Sequence, residues 1–536
     1  MPRAPVDRRR PIGERPAASV PDVIGERAED VQRLQRDPLP VGIKRLEPLI
    51  PVKPLQGPVK LLRIAAVVKR QIPGPDEVPK EFLPKHLIDR HFFFVHRGHP
   101  DHLVRKVGGR SKHVRIRLQY TRRPAPAVSR PRSRLIRKEV NGVPKRPRVL
   151  HVIGGGEFGG AERHLIALYR TLREDVDFSL ATFYPGRLVE SFRELGAEPV
   201  ILAQSGRFDL TLYRRVHALI AALKPDVVHS HGVRANLFAR LAAARVGVPR
   251  IVTTVHSFLR YDYPLRREFV LAWAMEHASR PFVDHVIAVS DALRRSLEAD
   301  GMAPERITVI ENGVDLAPFA AARRTLRAPG QKKALRSPLS LPEDAFVWAV
   351  TARLVPVKGL DVLLDAFARL IGDPTAPAGR PAYLLVIGTG PLKSSLSAAA
   401  ERRGLAGRIR WLGHRDDVPE LLAAADAFVL PSRQEGGFPL ALVEALAAGL
   451  PAVSTAVPAI VGALAGACDP PPVELVPPGD AEALAGAMRR LMAAPPEVRT
   501  ARIAAALRLV GERFSLSAFG RRHRAFYERL LASETT

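Results

Sequence analysis

From residue 148 onward, short unbroken apolar runs alternate with longer stretches in which apolar positions recur every three or four residues. The first kind suits a strand buried on both faces, the second an amphipathic helix. Strands are predicted at Arg148–Ile153, Phe178–Phe183, Pro199–Leu202, Val227–His229, Arg250–Val255, His285–Val289 and Ile307–Ile310. Helices fall between them. One starts at Ala161 and carries Leu165, Leu168, Tyr169 and Leu172 on the same face; another covers Leu212–Leu223. A basic, Pro- and Ala-rich stretch, Ala317–Pro342, interrupts the pattern and reads as a linker. A second set of strands follows at Phe346–Ala352, Tyr383–Ile387, Ile409–Leu412, Ala427–Leu430 and Ala452–Ser454, and a helix at Ser517–Leu531 closes the chain. This alternation predicts an α/β protein of two doubly wound, Rossmann-like domains facing a cleft. The boundaries read as 146–320 and 345–514, with a linker at 321–344 and a C-terminal helix in 515–536 packing back on the first domain.

Residues 1–145 show no such pattern, and composition separates them further. Of the 536 residues, 82 are Lys or Arg and 54 Asp or Glu, a formal charge of +28. Residues 1–147 hold 34 and 14 of these, a net +20, and 21 of the 49 prolines; residues 148–536 net only +8. The leader reads as a disordered extension, or as sequence translated upstream of the true start. The second reading needs a non-Met start near Val140 or Val143, because no methionine lies between Met1 and Met275. Its arginines, Arg115 to Arg137, could neutralise phosphates, which makes a nucleic-acid-binding protein the remote alternative; no nucleic-acid partner is expected. The single cysteine, Cys468, excludes an intramolecular disulfide and fits a reducing compartment. No apolar signal region opens the chain. Gly449-Leu450-Pro451 and Pro458 cut the uncharged stretch after Ala445 into pieces too short to span a membrane.

Some motifs carry no chemistry. Gly154-x-Gly156-x-x-Gly159 matches the dinucleotide fingerprint, yet the following strand ends without the acidic residue that would hold a ribose. Asp175-Val176-Asp177 has the form of a metal clasp but precedes a strand, whereas α/β ligands bind beyond strand C-termini. His229, His231 and His256 lack a carboxylate or thiol to complete a ligand set, so no metal site is expected.

Four loops after successive strands of the second half do carry chemistry. Arg353 and Lys358-Gly359 precede the helix starting at Leu360, and two cations at a helix N-terminus suit a diphosphate. Gly388-Thr389-Gly390-Pro391 ends the next strand and Gly413-His414-Arg415 the one after. Pro431–Pro439 then leads into a helix carrying Glu444, placed to accept hydrogen bonds from a ribose diol, while Glu435 can reach a sugar hydroxyl. In the first half, the glycine loop Gly154–Gly160 leaves backbone amides facing an anion.

Arg148–Ala161 with Glu162, Pro225–Gly232, Val286–Ser290, Asn312–Asp315, Arg353 with Lys358-Gly359, Val386–Pro391 and Pro431–Pro451 resemble the retaining nucleotide-sugar glycosyltransferases of family 4, of the GT-B fold. The resemblance covers residues 148–532. It implies a hexosyltransferase that moves a sugar from a nucleoside diphosphate donor, with retained configuration, to a glycan, lipid-linked or other envelope-type acceptor. It places Arg353 and Lys358 on the diphosphate, Glu444 on the ribose, and Glu435 and His256 beside the transferred sugar. His414 and Arg415 would border the base. Gly388, Gly390, Gly436, Gly437 and Phe438 would complete the donor pocket, and Gly159 and Gly160 would offer amides near phosphate and acceptor. No cofactor and no metal are implied, because Arg353, Lys358 and the helix dipole take the metal's part. The family has no agreed nucleophile, and same-face attack is the usual proposal.

Two features depart from the family pattern. Eight residues separate Glu435 from Glu444 where the family has seven, because Gly436-Gly437 replaces one glycine. Either this loop bulges and returns Glu435 to its place, or the contact is weakened. Val457-Pro458-Ala459 stands where a glycine pair is common. The chain between Ser257 and Trp273 interleaves aromatic residues with Arg260, Arg266 and Arg267. It reads either as a surface helix with solvated arginines or as a contact with an anionic membrane on the acceptor side. The expected location is cytoplasmic, with peripheral contact on the inner face of the plasma membrane. The alternative on the same fold is a nucleotide-sugar epimerase; a phosphorylase would need a pyridoxal-bearing lysine motif, which is absent.

Overall fold

Both faces of the predicted strands are covered, which is why they read as apolar runs. Every position of Val227–His231, and all but the first of Arg148–Ile153, is buried. In the computed structural model these strands form a seven-stranded parallel sheet. Its order is Ile307–Val309, His285–Ala288, Arg250–Val255, Val227–His231, Arg148–Ile153, Asp177–Thr182, Val200–Ile201. The chain winds outward from Arg148–Ile153, returns to its other side at Val227–His231, and winds outward again. Ligand crevices form where the winding reverses, here beyond the C-terminal ends of those two strands. A six-stranded parallel sheet repeats the plan in the order Ile409–Gly413, Ala382–Ile387, Phe346–Thr351, Ala427–Leu430, Ala452–Thr455, Val473–Val476. Its crevice lies beyond Phe346–Thr351 and Ala427–Leu430. Val473–Val476 was not legible in advance: it is four residues long, includes Glu474 and is flanked by prolines.

The structure describes residues 146–532 except 157, 205–208, 210, 264, 327, 329, 373–379 and 467–469, together with the backbone of 92–95, 102–107, 110–115, 139–140 and 143–144. The strands Phe92–Val95, His102–Val107 and Arg110–Arg115 pair antiparallel within a unit of residues 1–129; residues 130–536 form the other. The expectation for the leader otherwise lies outside the described residues.

The stretch read as a linker contains two helices, Ala317–Thr325 and Gln331–Arg336. Arg336 is 1% exposed, and its guanidinium binds the carbonyls of Ala424, Glu343 and Ala345 and the carboxylate of Asp426. A charge buried with its donors satisfied in this way leaves no apolar signature. The uncharged stretch after Ala445 divides into the end of helix Leu440–Ala447, strand Ala452–Thr455 and helix Pro458–Leu464. No described helix is long and apolar enough to cross a membrane.

The last helix, Leu516–Ala532, packs on the first domain, where Phe519, Phe526 and Tyr527 join Val149, Leu168, Val227 and Ile287. The chain therefore passes between the domains twice. The two passages lie side by side: the Val314 amide donates to the Phe514 carbonyl at 2.8 Å, and Val314 bridges to Ser515.

Candidate active site

In the second sheet the winding order brings the loop after Phe346–Thr351 against the loop after Ala427–Leu430. Gly359 makes the contact possible. Its φ is +64°, and a Cβ there would lie 2.1 Å from the Pro431 carbonyl oxygen. At this junction the Lys358 Nζ donates to Glu435 Oε1 at 2.5 Å, and the Ser432 hydroxyl donates to the same oxygen at 2.6 Å. Arg433 forks onto both carboxylate oxygens of Asp361, at 2.7 Å each, and ties the loop to the start of helix Leu360–Gly372. Arg353 is exposed at the end of its strand. Glu435, rather than Gly436, is thus the residue whose carboxylate stands at Lys358.

The extra glycine is accommodated across the cleft. A Cβ on Gly436 would lie 2.3 Å from the His256 carbonyl oxygen, and one on Gly437 would lie 3.0 Å from Val289 Cγ2. The Ser290 hydroxyl donates to the Gly436 carbonyl at 2.6 Å. The loop of the second domain therefore rests directly on two strand ends of the first. Phe438, expected in the donor pocket, is instead 4% exposed and stacks on Phe514 in the second-domain core, so it shapes the loop from behind. Gly388 and Gly390 approach their own chain: added Cβ atoms would meet the carbonyl oxygens of Ala352 at 2.0 Å and Leu354 at 2.5 Å.

Glu444 is 7% exposed. Burial pushes its carboxyl above the usual range, and Arg163, whose Nη1 donates to Oε1 at 2.6 Å, opposes the shift. Its Oε2 is buried without a hydrogen-bond partner. Arg163 belongs to the first-domain helix Gly160–Leu172, and sequence reasoning passed over it; a cation three residues after the glycine pair was the available signal. The Gly159 amide is already satisfied by Glu162 Oε2 at 2.9 Å, which a phosphate would have to displace, while Gly160 is exposed. A cavity of about 340 Å³ between the domains is lined by Phe158, Arg163, Arg187, His414, Arg415 and Glu444 among others. Arg187 lies over the Phe158 ring and reaches His414 and Asp416, and Arg415 turns to Asp417 at 2.6 Å. A larger cavity, about 630 Å³ near Arg323 and Asp426, opens at the strand N-termini, where α/β folds do not place ligands.

His256 ends strand Arg250–Val255 and belongs to a cluster only partly legible beforehand. His151 Nδ1 lies 3.2 Å from His231 Nε2, and His231 Nδ1 lies 3.1 Å from His256 Nε2. His229 binds Tyr527 Oη at 2.6 Å and Thr254 Oγ1 at 2.8 Å. His164 binds Asn312 Oδ1 at 2.8 Å, and His523 binds the Phe519 carbonyl at 3.1 Å. Burial, reinforced by neighbouring imidazoles, holds His151, His229, His231, His256 and His523 well below the usual histidine range; burial brings His164 to about 4. Burial thus favours the uncharged form of these rings.

Two Rossmann-like sheets whose switch-point crevices meet at one cleft define the GT-B class. The Glycosyltransferase Family 4 model matches residues 158–318, and the Glycosyl transferases group 1 model matches residues 345–494. The chain is 30% identical over 349 residues to a D-inositol 3-phosphate glycosyltransferase of Salinispora arenicola, covering 59% of this chain and 76% of that protein. It is 31% identical over 241 residues to the Escherichia coli UDP-Gal:alpha-D-GlcNAc-diphosphoundecaprenol alpha-1,3-galactosyltransferase. That match covers 44% of this chain and spans 59% of the galactosyltransferase. The Anabaena protein HepE in complex with UDP-glucose shares the fold, with a TM-score of 0.61 and 22% identity over 72% of this chain and all of HepE. The chain belongs to glycosyltransferase family 4.

Proposed function

We propose that this chain transfers a sugar from a nucleoside diphosphate donor to a glycan or lipid-linked acceptor, with retained configuration and without a metal. The observation that carries the reading is the junction of Lys358 with Glu435 at the switch point of the second sheet. As the bond from the sugar C1 to the phosphate oxygen breaks, negative charge grows on the diphosphate. Lys358, Arg353 and the N-terminus of helix Leu360–Gly372 meet that charge, and groups fixed in place before the reaction stabilise it most. The acceptor oxygen bonds to C1 on the face being vacated and passes its proton to the departing phosphate oxygen, so no protein nucleophile is required. Glu435 would hold a sugar hydroxyl and Glu444 the ribose diol, and the cavity by His414 would take the base.

A UDP-glucose complex of HepE and the UDP-galactose and lipid diphosphate in the name of the E. coli relative support this donor and acceptor chemistry. Incubating the chain with a panel of nucleoside diphosphate sugars and following diphosphate release tests the reading. One nucleotide sugar should be turned over faster when acceptor is added, and the anomeric configuration should be kept in the product. Turnover that never depends on an acceptor would favour an epimerase, and inversion would overturn the mechanism. The helices Leu259–Asp262 and Arg266–Ser279 support a membrane-side acceptor, because exposed Tyr261, Leu265 and Leu271 stand among exposed Arg260, Arg266 and Arg267.

A further inference from the structure

The histidine cluster contains a second arrangement of atoms, independent of the diphosphate loops. One ring nitrogen from each of His164, His231 and His256 lies within 4.8 Å of the other two. An acceptor oxygen, Asn312 Oδ1, stands at His164 Nδ1, so that ring carries its proton there and its Nε2 is a bare lone pair. This Nε2 is buried without a hydrogen-bond partner, a condition that calls for a donor or a cation. Between His231 Nδ1 and His256 Nε2, 3.1 Å apart, a single proton makes the contact. Two nitrogens bonded to one tetrahedral zinc at about 2.0–2.1 Å stand roughly 3.3 Å apart. An ion could therefore take that proton's place between His231 and His256, with His164, whose nitrogen lies within 4.8 Å of both, drawn in to join them.

We propose that His164 Nε2, His231 Nδ1 and His256 Nε2 bind a divalent transition-metal ion of the zinc type. Three imidazoles select zinc, cobalt, nickel or copper over magnesium or calcium, which prefer oxygen. A metal-bound imidazole needs an acceptor for its other N–H. Here His164 has Asn312 Oδ1 and His231 has His151 Nδ1 at 3.2 Å, whereas His256 Nδ1 is buried without a partner, so two of the three rings are held in this way. The neighbouring triad of His151, His229 and His231 is less suited, because both nitrogens of His229 are already engaged. The bound ion ties helix Gly160–Leu172 to the ends of two strands and holds His256 by its ring. It does not substitute for Lys358 or Arg353.

The test uses the full, untagged, chelator-stripped chain titrated with Co²⁺, followed by visible absorption, with Zn²⁺ as competitor and Mg²⁺ as control. A tetrahedral Co²⁺ spectrum that Zn²⁺ displaces and Mg²⁺ does not is expected. It should vanish in His164→Gln, survive in His217→Gln, on helix Thr211–Leu223 and outside the triad, and need roughly 10–100-fold more metal in Asn312→Leu, which removes the group orienting His164. Absence of the tetrahedral spectrum, or its persistence in folded His164→Gln, overturns the proposal. Should His164→Gln fail to fold, Asn312→Leu keeps all three ligands and decides: unchanged affinity overturns it. Because binding is read directly, either result leaves the transferase reading standing.

Discussion

At the scale of single residues, Lys358 and Gly436 separate chemistry from geometry. Lys358 pairs with Glu435, whose side chain is 10% exposed, so its loss leaves that carboxylate with Ser432 as its remaining donor and should cost some stability as well. Its loss should cost turnover on the order of 10²-fold, the scale of removing one transition-state donor. Steady-state kinetics of Lys358→Ala beside its thermal midpoint check this. Chelator should leave the wild-type rate undiminished, and a rate that collapses on chelation would sink the metal-free account. Gly436→Ala makes a different demand. The new Cβ would stand 2.3 Å from the His256 carbonyl oxygen, so the loop must lift from the first domain. A displacement near 1 Å can cost about 10²-fold in rate. Kinetics should show that loss, and solution scattering a wider molecule; an unchanged rate would mean the contact plays no part in closure.

At the scale of elements, the histidine cluster links acid stability to the packing of strands against helices. Unfolded, its rings take up protons below about pH 6.5. Folded, they resist protonation far lower, His164 down to about 4. The unfolded chain thus binds more protons in this interval, and stability falls as pH drops from about 6.5 toward 4. Urea unfolding of the chelator-treated protein should show clearly lower stability at pH 5.5 than at 7.5. Equal stability would mean the rings are already charged or reach water. The cluster also marks the limit of what the sequence can tell. Arg250–Val255 and Ala427–Leu430 begin and end where the apolar pattern places them, because burial on both faces fixes composition locally. The loops after those strands were visible too, since parallel sheets bind ligands there. What was hidden depends on distant pairing: His229 meets Tyr527 298 positions away, and Arg163 meets Glu444 281 positions away. No local period records such partners. The buried Arg336 escaped for a related reason, since its partners are mostly backbone carbonyls that any sequence provides.

For the whole molecule, charge and connectivity decide the behaviour. The leader's +20 would draw the full chain to any anionic surface, so membrane contact by Arg260, Arg266 and Arg267 has to be tested on residues 146–536. That fragment should keep transfer activity and sediment with anionic vesicles, less so as salt rises and less again when the three arginines are neutralised. Indifference to vesicles at low salt would point to a soluble acceptor. The paired passages between the domains carry a mechanical consequence. A single connecting segment behaves as a swivel and leaves rotation about several axes open. Two segments bonded side by side, at Val314 with Phe514 and Ser515, behave as a door hinge. They suppress twisting and sliding and leave one principal motion, a swing about the seam. Under that constraint a swing of the domains would part Arg163 from Glu444 and Ser290 from Gly436 together, and its reversal would return both pairs to the same registration.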